Sequence, residues 1–140
     1  GNSSTSSSNS DRRMKVILSI KPAFAEKILD GTKRFEFRKC GFTVLGVKTV
    51  VIYATKPVGK VVGEFSIAEV HKDEPSRIWE KTKDHAGINK RFFDEYYEDR
   101  DTAYAIAVGT VTKYEEPMEL ATLGPGITPP QSYRYLRTVK

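Results

Sequence analysis

The sequence predicts an α+β domain, a small mixed β-barrel with helices packed around it. Three observations lead there. At 140 residues the chain is the size of one ordinary domain. Its apolar runs are separated by too little helix for regular βαβ crossovers, and glycines interrupt its strands where a sheet would curl.

Composition narrows the class further. With 39% hydrophobic and 29% charged residues the chain falls in the globular range. No apolar run approaches the roughly 20 residues that cross a bilayer, and no charged start with an apolar stretch marks a signal peptide. A cytoplasmic location is expected, the nucleus remaining open, with no membrane partner. One cysteine, Cys40, forms no internal bridge, in keeping with a reducing compartment. The net charge of +5 fits a polyanion partner without requiring one. Between Arg12 and Lys60, twelve cations face only Glu26, Asp30 and Glu36, which suggests one positive face, the alternative being a scatter of solvated lysines.

The elements follow in order. Residues 1–13 open on a run of serine, asparagine and threonine too polar to offset the entropy of ordering, so a disordered tail is expected there and a folded domain over 14–140. Lys15-Val16-Ile17-Leu18-Ser19-Ile20 reads as a strand covered on both faces. Pro22 suits the first turn of a helix carrying Ala25, Ile28 and Leu29 at helical spacing, and Gly31 supplies its stop. A strand over 34–38 and a loop through Gly41 and Gly46 come next. Thr49 to Ala54 is a second covered strand, followed by a turn at Lys56-Pro57-Val58-Gly59.

Lys60 to Val70 alternates so that Val61, Phe65 and Ile67 share a face, with a bulge or bend expected at Gly63. Two helical stretches follow: one at Ser76–Lys81 with Ser76 as candidate N-cap, and one over Ile88–Glu98 with a broad stripe of Ile88, Phe92, Phe93, Tyr96 and Tyr97. In the strand from Thr102 to Val111, Ala103, Ala105 and Ala107 form a small face against which a helix, or alternatively a ligand, is expected to pack. The end, Tyr133-Arg134-Tyr135-Leu136, reads as a last strand.

The informative stretch is Gly31-Thr32-Lys33-Arg34-Phe35-Glu36-Phe37-Arg38. Alternation sends Phe35 and Phe37 one way and Arg34, Glu36 and Arg38 the other, giving one oily and one ionic side. Lys33 joins the ionic side only if it sits in the turn before the strand. Such a cluster is able to grip a phosphate with its cations and a base edge with its carboxylate; the alternative is an ion pair that braces a strand. His71 and His85 lack partners at metal-ligand spacing, so neither a metal nor a cofactor is expected.

The pattern Gly-x-Lys-x-x-Glu-x-Arg resembles the signature of the ASCH family, a branch of the PUA-like folds. The opening strand ending Ser-Ile-Lys-Pro, Val-Val-Gly-Glu-Phe, Ala-Tyr-Ala-Ile and the closing Pro-Pro-Gln-Ser-Tyr extend the likeness over nearly all of 14–136. The resemblance implies a PUA-like fold with a cleft that binds RNA, single-stranded DNA, or a nucleoside or nucleotide. It points to Lys33, Glu36 and Arg38 as the ligand-binding group, with Tyr53, Tyr104 and Ser132 as cleft neighbours.

One branch of that family removes the acetyl group of N4-acetylcytidine with a lysine, a threonine and a glutamate. Its lysine matches Lys33, but Glu36 stands where its threonine nucleophile would be. A small hydrolase, either a ribonuclease or an amidohydrolase acting on a modified nucleoside, stays open as the alternative, with Lys33 and Glu36 as candidate catalytic residues. A third reading is an adaptor whose basic patch binds an acidic protein.

Overall fold

The computed structural model describes residues 14–39, 47–124, 126–128 and 133–136, with backbone alone for residue 14 and for 133–136. The tail over 1–13, the loop through Gly41 and Gly46, Cys40 and Ser132 lie outside the described residues. Strand β1 (Met14–Ile20) runs into helix α1 (Pro22–Asp30), and strands β2 (Phe35–Arg38) and β3 (Val47–Ala54) follow. Then come β4 (Lys60–Asp73), α2 (Pro75–Thr82), a single 3₁₀ turn over Lys83–His85, α3 (Lys90–Tyr96), β5 (Ala103–Met118), α4 (Leu120–Leu123) and β6 (Tyr133–Leu136). No helix among the described residues is long and apolar enough to cross a membrane.

The six strands form one mixed sheet in the order β2-β5-β4-β3-β1-β6. β1 and β3 are parallel, so α1 and β2 belong to the crossover between them; the other ladders are antiparallel. The α+β class holds, but the described ladder does not close into the expected barrel. Its two end strands, β2 and β6, are four residues each and pair with β5 and β1 respectively, not with each other.

Gly63 bends the sheet as expected, because the register shifts between Val61 and Gly63. A Cβ there would stand 2.6 Å from the Thr112 carbonyl oxygen and 2.7 Å from a Leu29 methyl, so only glycine lets the strands and α1 approach this closely. The bulge also corrects the alternation read from sequence. Val61 turns to one face with Ile17, Val51 and Tyr53, while Phe65 and Ile67 pack on the other with Val16, Leu18 and Ile52. An extra residue in one strand exchanges the faces beyond it.

Helix α1 covers the Phe65 face through Ala25 and Ile28, both fully buried. A separate cluster sits where Phe37, Ala103 and Ala105 meet Ile78, Phe93 and Tyr97, so the small face of β5 does receive helices, α2 and α3. Helix α2 starts one residue before the expected cap. Pro75, with no N–H to leave unpaired, takes the first turn after Glu74, and Ser76 therefore lies inside the helix.

Candidate functional site

Helix α1 ends in a left-handed Gly31 (φ 94°) whose N–H donates to the Ile28 and Lys27 carbonyls. The chain then turns back, fixed by the Lys33 N–H on Lys27 O (3.1 Å) and the Arg34 N–H on His85 O (2.9 Å). β2 pairs with β5 in the register Phe35↔Ala107, Glu36↔Ile106, Phe37↔Ala105 and Arg38↔Tyr104. Phe37 and Phe35 join the cluster under α2 and α3, and Glu36 and Arg38 face the other way. Two phenols tie β2 to α3: Tyr97 donates to Arg38 O (2.9 Å) and Tyr96 to Phe37 O (3.3 Å).

A cavity of about 170 Å³ opens on the ionic side of β2. Ser19, Ile20 and Lys21 at the end of β1 and Phe24 of α1 line it together with Ile88, Phe92 and Tyr96. Lys33, Glu36, Phe37 and Arg38 line it from the motif. A larger cavity of about 370 Å³, between α1 and the second half of β5, contains none of the motif residues.

Glu36 is 6% exposed, and one carboxylate oxygen, Oε2, accepts from Arg38 Nη1 at 3.3 Å. The other, Oε1, is buried and has no hydrogen-bond partner among the described residues. A buried acceptor left unpaired costs about 1–3 kcal/mol, more when charged, so its persistence calls for an explanation.

Lys33 is only 2% exposed. Its Nζ donates to Phe35 O (2.6 Å) and Ala86 O (3.2 Å) and stands 4.6 Å from the centroid of the Phe37 ring. Burial pushes its pKa below that of an ordinary lysine; the Glu36 carboxylate opposes that shift and Lys27 adds to it. Gly87 (φ 76°) packs on its stem so closely that a Cβ there would come within 2.9 Å of Lys33 Cβ. Lys33 thus precedes the strand, as alternation requires, and ties the turn after α1 to the connector that leads into α3.

Of the residues singled out from sequence, Lys33, Glu36 and Arg38 come together at one cavity. Tyr104 stands opposite Arg38 in register, half-buried, but does not line it. Tyr53, 6% exposed, packs on the other face with Ile17, Val51 and Val61. His85 is exposed and His71 rests against Phe35 with ring centroids 6.2 Å apart. Sequence reading missed the aromatic walls Phe24, Phe92 and Tyr96. The signal was the width of the α3 stripe, since Phe92 and Phe93 are adjacent and cannot both face one core.

The model of the ASCH domain matches residues 18–118. The chain belongs to the ASCH domain family. The crystal structure of ASCH from Zymomonas mobilis superposes with a TM-score of 0.79 at 26% identity, covering 88% of this chain and 87% of that one, so the fold is the PUA-like fold of ASCH proteins. An ASCH domain-containing ribonuclease of Zymomonas mobilis is 26% identical over 132 residues, 89% of this chain and 86% of its own length. The large ribosomal subunit protein uL22 of Ureaplasma parvum is 30% identical over 126 residues, which are 87% of this chain but 39% of that protein. The chain therefore spans about two fifths of the length of that relative.

Proposed function

We propose that this ASCH domain binds single-stranded nucleic acid, RNA first, by admitting one unpaired base to the cavity beside β2. The observation that carries the reading is the buried Oε1 of Glu36, without a hydrogen-bond partner among the described residues, in the wall of a cavity that combines aromatic side chains with cations. A nucleobase supplies both complements: a flat face for Phe24 and Tyr96, and an N–H for the carboxylate. At about 170 Å³ the space falls below the roughly 300–1,000 Å³ of sites for drug-sized ligands, which suits one base and not a duplex. Lys21 and Arg38, which line the cavity, and Lys39, over the Tyr96 ring, supply positive charge for the backbone phosphates; Lys33, sequestered on two carbonyls, serves as part of the wall. An ASCH relative named as a ribonuclease supports an RNA ligand.

The test is an anisotropy titration of single-stranded RNA and DNA across a salt series, with Glu36→Gln alongside. Three phosphate contacts give a slope of log affinity on log salt of about −2. Loss of a hydrogen bond to a charged acceptor, about 1.5–3 kcal/mol, weakens binding on the order of tenfold to a hundredfold. No binding at low salt, or a Glu36→Gln protein that binds as tightly as the wild type, would overturn the reading.

A second reading is favoured by the ribonuclease relative and by the proximity of two proton-carrying groups. Lys33, its proton loosened by burial, and Glu36 would then share proton transfer at a phosphodiester. RNA cleaved by the wild type and left intact by Glu36→Gln supports it; RNA left whole by both removes it.

A further inference from the structure

The cavity accounts for one base, yet its rim carries an aromatic surface that one base does not use. Phe92 is 42% exposed. The other large apolar side chains exposed among the described residues are Val58 and Val70, and neither borders this cavity. Phe92 is held upright: its ring meets Phe24 of α1 edge to face at 5.7 Å and 84°, and lies near-parallel to Tyr96 at 6.4 Å and 14°. It is thus anchored on both neighbours and still turns a large part of its ring to water. The Tyr96 ring also carries a cation, Lys39 Nζ, at 4.8 Å from its centroid. An exposed platform and a positive charge therefore flank one ring at the mouth of the cavity. Pocket, charge and platform are the kinds of part that a single strand engages through base, phosphate and base.

Resting on the base-binding reading above, we infer that Phe92 is a second base subsite and that the smallest complete ligand is a single-stranded dinucleotide. One base enters the cavity and donates to Glu36 Oε1, the linking phosphate lies by Lys39, and the neighbouring base stacks on Phe92. Stacking tolerates any base because every base has a π-face, so selection is exercised inside the cavity and reach is supplied outside it.

The experiment uses the full chain and fluorescein-labelled ribodinucleotides. Each carries one of the four bases on one side and either adenosine or an abasic sugar on the other, in both polarities. The quantity read is the ratio of affinities with and without the second base, in the wild type, Phe92→Ala and Phe92→Trp, with Glu36→Gln as a control for the cavity. The second base is expected to raise wild-type affinity on the order of tenfold to a hundredfold. Phe92→Ala should bring that ratio to about one, and Phe92→Trp should keep it. Thermal melting checks that both variants fold, as Phe92 belongs to no core cluster. A ratio near one in the wild type, or a ratio unmoved by Phe92→Ala while Glu36→Gln still weakens binding, overturns the second subsite and leaves the cavity reading intact. If Glu36→Gln changes nothing for any probe, the cavity reading fails and the subsite falls with it.

Discussion

Replacing Lys33 by methionine separates the two things this side chain does: fill space and carry charge. Methionine keeps most of the volume against Phe37 and Gly87 while the ammonium disappears. The change removes two charge-assisted donations, to Phe35 O and Ala86 O, each worth about 1.5–3 kcal/mol, and a cation–π contact of about 0.5–2 kcal/mol. Against that, it relieves the desolvation of a buried ion, several kcal/mol in effective terms. The opposing terms are of similar size, so Lys33→Met should fold, whereas Lys33→Ala also opens a void and loses about 2–5 kcal/mol.

The charge is then read from pH. Because burial lowers the lysine's folded pKa beneath its ordinary value of 10.5, there is a window in which the unfolded chain holds that proton and the folded chain does not. Unfolding takes up a proton there, so stability rises with pH through the window, by at most about 1.4 kcal/mol per pH unit for one proton, and is flat below the folded pKa. Urea titrations from pH 7 to pH 10 should show this rise in the wild type and its absence in Lys33→Met. Parallel pH profiles for the two proteins would refute the assignment of Lys33 as a buried ammonium with a depressed pKa.

Two further outcomes follow from the same packing. Gly63→Ala should lower stability by about 1–3 kcal/mol in urea titration, because the new methyl meets the Thr112 carbonyl at 2.6 Å and backbone cannot step aside as a side chain can. Tyr97→Phe should cost on the order of 1–3 kcal/mol at pH 7, since the single phenol proton is shared between Arg38 O (2.9 Å) and Tyr104 O (3.3 Å) and its loss leaves both carbonyls without it. Burial raises the Tyr97 pKa well above 10, so above pH 10 the unfolded chain loses this proton while the folded chain keeps it, and stability falls with pH. Tyr97→Phe should reduce that fall, as measured by denaturation at pH 10 and pH 11.

The strands and helices were legible where local chemistry alone decides them. Pro22 and Gly31 bracket α1 because one lacks an N–H and the other accepts positive φ, and neither effect depends on the rest of the chain. The alternation of β2 likewise foretold that Glu36 and Arg38 would share a side. What escaped was whatever a distant contact decides. The face of Val61 depends on a bulge whose position is set by β5 and Leu29 across the sheet. Tyr53 was placed by its strand's resemblance, but the face it takes is the one covered by Leu120 beyond β5, far along the chain. Lys33 looked like a cation for phosphate until the connector after α2 supplied Ala86 O and Gly87 to enclose it.

The same enclosure explains how the site can keep an unsatisfied carboxylate oxygen. Glu36 sits on a strand whose next residue, Phe37, is locked edge to face against Phe93 at 5.2 Å and whose following carbonyl is held by Tyr97. Its own Oε2 is engaged by Arg38, and Lys33 is fixed nearby by backbone, so the carboxylate has little freedom to swing its free oxygen toward water. The penalty of about 1–3 kcal/mol is carried by the folded, empty protein. On the proposed reading, a ligand that donates a hydrogen bond to Oε1 would recover it once a small shift of the wall uncovers that buried atom, whereas one offering an acceptor there would leave it unpaired. On the proposed base-binding reading, discrimination between bases would be set by which edge presents an N–H to Glu36, whose strand is held in place by its packing against α3.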